Sequence, residues 1–513
     1  MADPSAGKKP RLRALLVAGT GSDVGKSLIA AGLCRIFLQD GYHPAPFKGQ
    51  NMALNSFVTP EGGEIGRAQA VQAAAAGVDP HTDMNPVLLK PTGEHLTQVI
   101  INGQAVGNRS AYDYFRREGR GELRRAVEEA YDRLAQRFNP IILEGAGSVC
   151  ELNLMDTDLA NMPMARYADA TVLLVADIDR GGVFASAYGS IMLQKPEDRR
   201  RIGGIVVNKF RGDLRLFEQG RRMLEEVCGV PVVGVVPMME EVGIGEEDSV
   251  ELERKRLHPI EGKVNVGVVW LPHISNFTDF DLMESTEGLN VYYARTAEDL
   301  GGADLIILPG TKSTVADLRW LWQSGMAEAI IARCKAGVQV LGICGGYQML
   351  GEKVSDPQGE EGAAAVVDGL GLLPVTTLIS GHKTTRQVRC IFNRGADDWS
   401  TTPWAGYEIH QGRTEGTPLF GDVAETWVRM EDGREDGCLC GKALGTYVHG
   451  ILDNPEVVEW LTGVKPAGGR VDPYDRLAAH LRKYIDMGEI YKIMKAPLHS
   501  PRAGGGTNTA EGT

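Results

Sequence analysis

Short apolar runs alternate with helical patterns along the first half of the chain. Residues 13–18 form an apolar run of the kind found in buried strands, and residues 26–39 place apolar side chains at helical spacing. A second clear helical pattern covers residues 121–137. Further short buried strands are predicted at residues 140–143, 170–176, 205–208 and 232–236. Strands that alternate with helices in this way predict an α/β fold built on a parallel sheet.

The pattern breaks at residues 238–259, which hold seven acidic residues and then Arg254-Lys255-Arg256, with no sustained apolar period. This composition is typical of a linker. A second α/β run follows, with strands predicted at residues 264–271, 305–309, 338–343 and 444–449. A last helix is predicted at residues 474–484, and the Gly-rich end of the chain has little that could pack against a core.

Composition and charge narrow the possible classes of protein. A length of 513 residues predicts two or three domains, at about 100–200 residues each. The 43% of hydrophobic and 24% of charged residues exclude a coiled coil, a collagen-like fibre and a wholly disordered chain. The net charge of −13 argues against a nucleic-acid-binding protein, because phosphate contacts need a basic surface. No apolar run reaches the ~20 residues of a membrane span, so no membrane association is expected.

The eight cysteines are scattered and do not have the spacing of a disulfide framework. Cys438 and Cys440 are a close pair, but no second pair lies nearby, so a zinc site is not expected there. A reducing cytoplasm is therefore the expected location.

The strongest local motif is the glycine-rich stretch at residues 19–27, GTGSDVGKS, which follows a predicted strand and opens a predicted helix. Glycines such as Gly21 and Gly25 allow backbone N–H groups to surround phosphates, and the helix N-terminus favours their negative charge. Lys26 is placed to reach the terminal phosphates and Ser27 to bind Mg²⁺. The motif predicts a site for ATP with Mg²⁺.

Other residues at strand ends fit the same site. Thr20 stands where a strict P-loop has its first glycine, and this longer spacing resembles the dethiobiotin-synthetase and MinD-like branch of P-loop proteins. Glu144, at the carboxyl end of a predicted strand, is a candidate Mg²⁺ ligand. Asn208 and Lys209 resemble a pair that recognises the adenine base. Two acids and an arginine also follow a strand, with roles that stay open: Asp177, Asp179 and Arg180.

A second motif lies at residues 342–348, GICGGYQ, directly after a predicted strand. A cysteine at a sharp strand-to-helix turn is typical of a nucleophile, because the helix N-terminus stabilises the thiolate and directs N–H groups toward an oxyanion. Cys344 is therefore the predicted nucleophile. A nucleophilic cysteine needs a base, and His449, at the end of another predicted strand, is the candidate.

These residues resemble the class I glutamine amidotransferase domain. Residues 308–313 are similar to the oxyanion strand of that family, which implies oxyanion or glutamine contacts for Gly310, Gly345 and Gln348. The usual carboxylate two residues after the histidine is absent, because Ile451 stands there.

Two carboxylates could replace the missing one: Asp453 follows His449 by four residues, and Glu408 lies in the stretch GYEIHQG. We predict a Cys344–His449 dyad.

A glutaminase joined to an ATP site of this type implies ATP-dependent amidation, in which an acyl phosphate is attacked by ammonia. Residues 12–490 resemble the cobyric acid synthase family, most clearly in the segments 46–56, 62–69 and 85–91. The resemblance implies that adenosylcobyrinic acid a,c-diamide is amidated on its four remaining side-chain carboxylates, with L-glutamine as nitrogen donor. The candidate residues for holding this corrinoid are Lys48, Gln50, Asn51 and Asn55.

The predicted organisation is a P-loop parallel-sheet synthetase domain followed by a flavodoxin-like class I glutamine amidotransferase domain. Its predicted limits are a flexible N-terminus at 1–11, the synthetase domain at 12–240, a linker at 241–262, the amidotransferase domain at 263–460, a helical segment at 461–499 and a disordered tail at 500–513.

Three alternatives remain open. The related a,c-diamide synthase carries a different, aspartate-bearing segment after its lysine, and a cell-wall amidase of this kind normally has a Mur-ligase partner. A MinD- or ParA-like ATPase switch would leave Cys344 and His449 unexplained.

Overall fold

The computed structural model describes residues 9–91, 96–110, 120–239, 256–418, 424–466 and 472–496. The chain forms two compact units, and neither is one continuous stretch. Residues 1–49, 131–240 and 476–513 make the first unit, and residues 50–130 and 241–475 make the second. Residues 50–130 thus group with the second half of the chain. The domain limits predicted above make each domain one continuous stretch, and they stay a prediction. The predicted tail, most of the predicted linker and most of the predicted N-terminus lie outside the described residues.

The first unit is built on a parallel sheet. Its strands lie in the order Val232–Pro237, Ile202–Phe210, Thr171–Asp177, Leu15–Gly19, Ile141–Glu144 and Ala45–Phe47. Leu15–Gly19 is buried along its whole length, which agrees with its unbroken apolar sequence, since both faces of a parallel sheet are covered. Ala45–Phe47 contains a proline and stands at the end of this order, where a missing ladder donor costs least.

Eight α-helices come from the described chain segments around this sheet, and the three that were predicted, at 26–39, 121–137 and 474–484, have bounds within one residue of the prediction. They are Lys26–Gln39, Arg120–Arg137, Met162–Tyr167, Val183–Met192, Pro196–Arg199, Glu218–Cys228, Pro473–Tyr484 and Met487–Lys495. In Lys26–Gln39 most of the apolar side chains are buried, as their helical spacing predicts. The predicted α/β class with a parallel sheet is confirmed for this half of the chain.

The second unit has its own, mainly parallel sheet. The strand order is Leu289–Ala294, Val264–Val269, Leu305–Leu308, Gln339–Ile343, Ala443–Thr446 and Cys438–Cys440, and the last pairing is antiparallel. Helices Asp281–Glu284, Thr314–Gln323, Met326–Lys335, Gly345–Leu350 and Pro455–Thr462 belong to this unit. One hydrophobic core joins the sheet to these helices.

Two further groups of strands complete the second unit. The longer group is centred on an antiparallel pair, Val375–Phe392 with Trp404–Gly416, and includes Lys353–Asp356, Ala365–Asp368, Val428–Met430, Glu435–Asp436 and Val448–His449. The other strands come from residues 50–110: Gln50–Met52, Val87–Pro91, Leu96–Ile101 and Gln104–Ser110 in one sheet, and the hairpin of Ser56–Val58 with Glu64–Gly66, which leads into helix Arg67–Ala75.

In the parts of the chain that the structure describes, no helix combines the length and the apolar character needed to cross a bilayer. All eight cysteines lie in described parts and are free thiols.

Candidate active sites

The glycine-rich stretch forms a loop between strand Leu15–Gly19 and helix Lys26–Gln39 in the first unit. Gly25 has a φ of 93°, and a Cβ atom there would lie 2.2 Å from Nδ2 of Asn208, so this position requires glycine. Nζ of Lys26 donates hydrogen bonds to the carbonyls of Gly21 at 2.8 Å and Gly147 at 3.0 Å. The lysine thus extends along the loop, in the position needed to meet phosphates held by the loop's N–H groups.

Ser27, Glu144 and Lys48 meet beside this loop. Oγ of Ser27 donates to Oε1 of Glu144 at 2.8 Å, and Nζ of Lys48 lies 2.8 Å from the same oxygen. The Glu144 carboxylate is buried, which a charged group tolerates when it is paired. A hydroxyl and a carboxylate are oxygen ligands of the kind that Mg²⁺ prefers, so the two predicted metal residues fit this ion. The structure also brings Lys48, a predicted substrate residue, to this carboxylate.

Asn208 and Lys209 contact the loop itself. Nδ2 of Asn208 donates to the carbonyl of Val24 at 2.9 Å, and Nζ of Lys209 donates to the carbonyl of Asp23. Lys209 also pairs with Asp177 at 3.2 Å. In this arrangement both side chains support the loop, and their predicted contact with adenine stays a prediction. The other residues with open roles make ion pairs nearby: Arg180 with Asp23 at 3.3 Å and Arg211 with Asp179 at 2.6 Å.

Cys344 stands at the junction of strand Gln339–Ile343 and helix Gly345–Leu350 in the second unit. Its φ of 55° and ψ of −110° are unusual for a residue with a side chain and mark a strained turn. A Cβ atom on Gly346 would lie 2.0 Å from the carbonyl oxygen of Leu308, so the turn needs this small neighbour. The predicted sharp turn is present, and it places the thiol of Cys344 at the start of helix Gly345–Leu350.

His449 is fully buried and is bonded to a carboxylate that the sequence analysis did not identify. Nδ1 of His449 lies 2.7 Å from Oδ2 of Asp279, and Oδ1 of Asp279 accepts from the N–H of Gly450 at 3.1 Å. Burial lowers the pKa of His449, but the charge and hydrogen bond of Asp279 and a hydrogen bond with Cys344 outweigh it and raise this pKa to about 10. The prediction of a Cys–His dyad is therefore wrong. The three residues form a Cys344–His449–Asp279 arrangement with the orientation of a catalytic triad.

The two carboxylates considered from the sequence have other partners. Oε2 of Glu408 pairs with Arg386 and, at 3.1 Å, with Arg434. Burial opposes ionisation of Glu408, but hydrogen bonds from His410 and the two arginines lower its pKa to about 2.

Asp453 is partly buried. Burial raises its pKa to about 6, although the charge of Arg67 acts in the opposite direction. Nδ1 of His449 is taken by Asp279, so neither Asp453 nor Glu408 is its partner at that nitrogen.

The predicted oxyanion and glutamine residues lie in the second unit, as Cys344 does. A Cβ atom on Gly310 would lie 3.2 Å from Cε1 of His449, so the chain passes the imidazole closely and a side chain there would be crowded. Gly345 follows Cys344 at the start of the helix. The side chain of Gln348 is fixed by three hydrogen bonds: Oε1 accepts from Thr314 at 2.8 Å, and Nε2 donates to Gln411 O at 2.9 Å and to the Tyr447 hydroxyl at 3.1 Å. Their roles in binding glutamine stay predictions.

The other predicted substrate residues lie in the second unit, whereas Lys48 belongs to the first. Gln50 accepts a hydrogen bond from Arg120 at 3.4 Å, and Nδ2 of Asn51 donates to Gln69 at 3.1 Å. Asn55 is buried, and its carbonyl accepts from the N–H of Arg67 at 3.2 Å. Their predicted contact with the corrinoid is not tested by these contacts.

A buried group of charges lies beside this segment. Glu64 pairs with both Lys90 and Lys383, and Nζ of Lys90 also donates to Oγ of Ser56 at 2.6 Å. Burial, with the nearby charge of Lys312, lowers the pKa of Lys90 to about 7. The group joins the chain at residues 56–90 to strand Val375–Phe392 of the same unit.

Two family models match the chain. A CobQ/CobB/MinD/ParA nucleotide binding domain matches residues 15–250, which include the glycine-rich loop, Glu144 and Asn208. A CobB/CobQ-like glutamine amidotransferase domain matches residues 265–457, which include Asp279, Cys344 and His449.

The chain is also similar, over nearly its whole length, to curated proteins named cobyric acid synthase. The protein of Phocaeicola vulgatus is 54% identical, in an alignment that covers 95% of this chain and 99% of the relative. The proteins of Syntrophobacter fumaroxidans and Sorangium cellulosum are 47% and 45% identical, and both alignments cover 94% of this chain and at least 98% of the relative.

Proposed function

Because the chain belongs to the cobyric acid synthase family, we propose that it converts adenosylcobyrinic acid a,c-diamide to adenosylcobyric acid by amidating the b, d, e and g carboxylates. The chain is a glutamine-dependent amidoligase of cobalamin biosynthesis that uses ATP. The corrinoid, its four carboxylates and the roles of individual residues form the proposed part of this function.

One observation carries the proposal: a single chain holds two sites with complementary chemistry. The contacts of Lys26 with the loop carbonyls and of Ser27 with Glu144 suit phosphoryl transfer. The contacts among Cys344, His449 and Asp279 suit glutamine hydrolysis. An ATPase switch would use the first site alone. Amide synthesis uses both, because one site activates a carboxylate and the other releases the nitrogen nucleophile.

In the proposed glutaminase reaction, His449 takes the thiol proton of Cys344 at Nε2, and the resulting thiolate attacks the side-chain amide carbon of glutamine. His449 then gives the proton to the departing nitrogen, so that ammonia leaves and a thioester remains. Asp279 holds the imidazole through Nδ1, which keeps Nε2 directed at the thiol. Water then hydrolyses the thioester to glutamate and regenerates the thiol.

In the proposed synthetase reaction, a corrinoid carboxylate attacks the γ-phosphate of ATP and forms an acyl phosphate and ADP. Ammonia then attacks the acyl carbon, and inorganic phosphate leaves as the amide forms. Lys26 stabilises the charge that develops on the phosphates, and Lys48 lies where it can neutralise an incoming carboxylate. Ser27 and Glu144 would hold Mg²⁺, which would further neutralise the phosphate charge.

A product analysis tests the proposal. The protein is incubated with the a,c-diamide, ATP, Mg²⁺ and glutamine, and corrinoid masses are followed together with phosphate and glutamate release. We expect up to four successive replacements of carboxylate by amide, with one phosphate and one glutamate released per amide, because each acyl phosphate needs its own γ-phosphate. A product that stops after two amides would favour an a,c-diamide type of synthase, and an unchanged corrinoid would reject the proposal.

Replacement of Lys26 by alanine tests the ATP site. Synthesis should fall by about 10³-fold with either glutamine or ammonia as nitrogen source, because charge stabilisation of the transferred phosphoryl group is lost in both reactions. Amide formation is measured by mass spectrometry with each nitrogen source. Lys492→Ala, which removes an exposed lysine of the same unit, is the matched control and should keep the wild-type rate. Retained ammonia-dependent synthesis in the Lys26 variant would contradict the assignment.

A further inference from the structure

One turn of the second unit contacts several parts of the glutaminase site at once. It precedes and includes the short helix Phe277–Phe280 and carries Asp279, the partner of His449. The N–H of Ser275 donates to the carbonyl of Gly310 at 2.8 Å, so the turn also contacts the predicted oxyanion residue. Between these contacts lies Asn276, with a left-handed backbone at φ 55° and ψ 38°. The position of this turn therefore affects both the base and the oxyanion residue.

The side chain of Asn276 connects His449 to the segment that contains the predicted corrinoid residues. Its Oδ1 accepts a hydrogen bond from the N–H of Ser56 at 3.2 Å, and its Nδ2 lies 3.3 Å from Nε2 of His449. A backbone N–H can only donate, so the Ser56 contact fixes which end of the amide is the oxygen. The amide consequently presents its N–H₂ group, a donor, to the imidazole.

This orientation opposes the first step of glutamine hydrolysis. Nδ1 of His449 is bonded to Asp279, so the proton of Cys344 must be held at Nε2. Asp279 favours the protonated ring, whereas the N–H₂ group of Asn276 can bond only to the neutral ring, through the lone pair of Nε2. Once Nε2 carries a proton it becomes a donor, and two donors would then face each other. Rotation of the amide would instead present Oδ1 to the protonated ring and stabilise it.

We propose that Asn276 is a positioning residue of the glutaminase site and that Ser56 sets the orientation of its amide. When a corrinoid binds beside Ser56, the amide rotates and His449 becomes available to Cys344. The inference rests on the proposed function, which names the corrinoid as the substrate near Asn55. Ser56 directly follows Asn55, and it opens the hairpin strand Ser56–Val58. A shift of this segment on binding would break the Ser56 contact and free the amide to rotate.

The surroundings of Ser56 support this coupling. Its Oγ accepts from Lys90, whose ammonium also pairs with the buried Glu64 of the partner strand in the hairpin. Lys383 of strand Val375–Phe392 pairs with the other oxygen of Glu64. These buried ion pairs join the hairpin to the amidotransferase part of the same unit, so Ser56 keeps its contact with Asn276 as long as the hairpin stays in place.

The test compares glutamine hydrolysis with and without the a,c-diamide and ATP, measured as glutamate release. In the wild type the corrinoid should raise the rate about fivefold or more, the size expected when one neutral hydrogen bond is lost. Asn276→Gly removes the amide and suits the left-handed backbone. It should hydrolyse glutamine at the stimulated rate without corrinoid, and addition of the corrinoid should change the rate less than about twofold.

Asn276→Asp provides a second variant of the same shape. Its carboxylate still accepts from Ser56, but it presents an acceptor to Nε2, so it should also raise the rate without corrinoid. A merely structural role of Asn276 would lower the rate in both variants. Thr278→Ser is the matched control, since Thr278 lies in the same turn and makes neither of the two Asn276 contacts, and it should keep the wild-type stimulation.

Ammonia-dependent amidation is measured in the same samples to separate the two proposals. If the wild type amidates the corrinoid but Asn276→Gly keeps the full stimulation, or if the wild type shows none, the role of Asn276 is rejected and the proposed function stands. If the wild type amidates no corrinoid from either nitrogen source, the proposed function is rejected, and with it the corrinoid as the group that moves Ser56.

Discussion

Replacement of Cys344 by serine should abolish amidation from glutamine while leaving amidation from high concentrations of ammonia near the wild-type rate. A serine hydroxyl in this position is a far weaker nucleophile than the thiolate, so glutamine hydrolysis should fall by about 10⁶-fold. The synthetase reaction needs only ammonia and the acyl phosphate, and neither depends on this side chain. Glutamate release and corrinoid mass, measured with each nitrogen source, give the two rates separately.

The chain offers a matched control for this experiment. Cys334 lies on helix Met326–Lys335 of the same unit and is partly buried, so Cys334→Ser makes the same chemical change outside the site. This variant should hydrolyse glutamine at the wild-type rate. Glutamine hydrolysis by the Cys344 variant at more than a small fraction of that rate would remove Cys344 as the nucleophile.

The parallel sheets were predictable because their strands are buried on both faces. Leu15–Gly19 and Thr171–Asp177 are nearly continuous apolar runs, and such runs stand out in a sequence. The long pair Val375–Phe392 with Trp404–Gly416 was not predicted. These strands are half-exposed and rich in charged and polar residues, so they lack both an apolar run and a clean alternation.

Residues 50–130 make contacts that the sequence did not indicate. They follow the glycine-rich loop along the chain, and the predicted synthetase domain therefore included them. In the structure they group with the second unit, through contacts such as Glu64 with Lys383 and Ser56 with Asn276. Pairings between residues more than 200 positions apart leave no periodic signal in a sequence.

In the candidate sites, too, local motifs could be predicted and long-range contacts could not. The glycine-rich loop and the Cys344 turn are local motifs, so their residue spacing was sufficient to predict them. Asp279 lies 170 residues before His449, in a stretch with other acids nearby, and no spacing rule connects the two. One signal was available: Asp279 comes in the loop after strand Val264–Val269, and such loops lie at the carboxyl edge of a parallel sheet, where ligands bind.

Replacement of Asp279 by asparagine should reduce glutamine hydrolysis by about 10⁴-fold, although the shape of the side chain is kept. An amide can donate to Nδ1 of His449, which would place the ring proton on Nε2 and remove the lone pair that must take the proton of Cys344. It also removes the negative charge that favours a protonated imidazole. Amidation from ammonia should remain near the wild-type rate, which distinguishes loss of the base from loss of the fold.

Asp453→Asn and Glu408→Gln are the matched comparisons, because both replace a carboxylate of the same unit, partly buried in Asp453 and buried in Glu408, that does not bond to Nδ1. Each should lower the rate of glutamate release much less than Asp279→Asn does. An equally deep loss in either variant, with ammonia-dependent amidation intact, would mean that the carboxylate acting on His449 during turnover is not Asp279. If instead only Asp279→Asn is inactive, the imidazole is oriented by the turn that also carries Asn276. One short stretch of chain then contacts both ring nitrogens, because Asp279 bonds to Nδ1 and Asn276 lies beside Nε2.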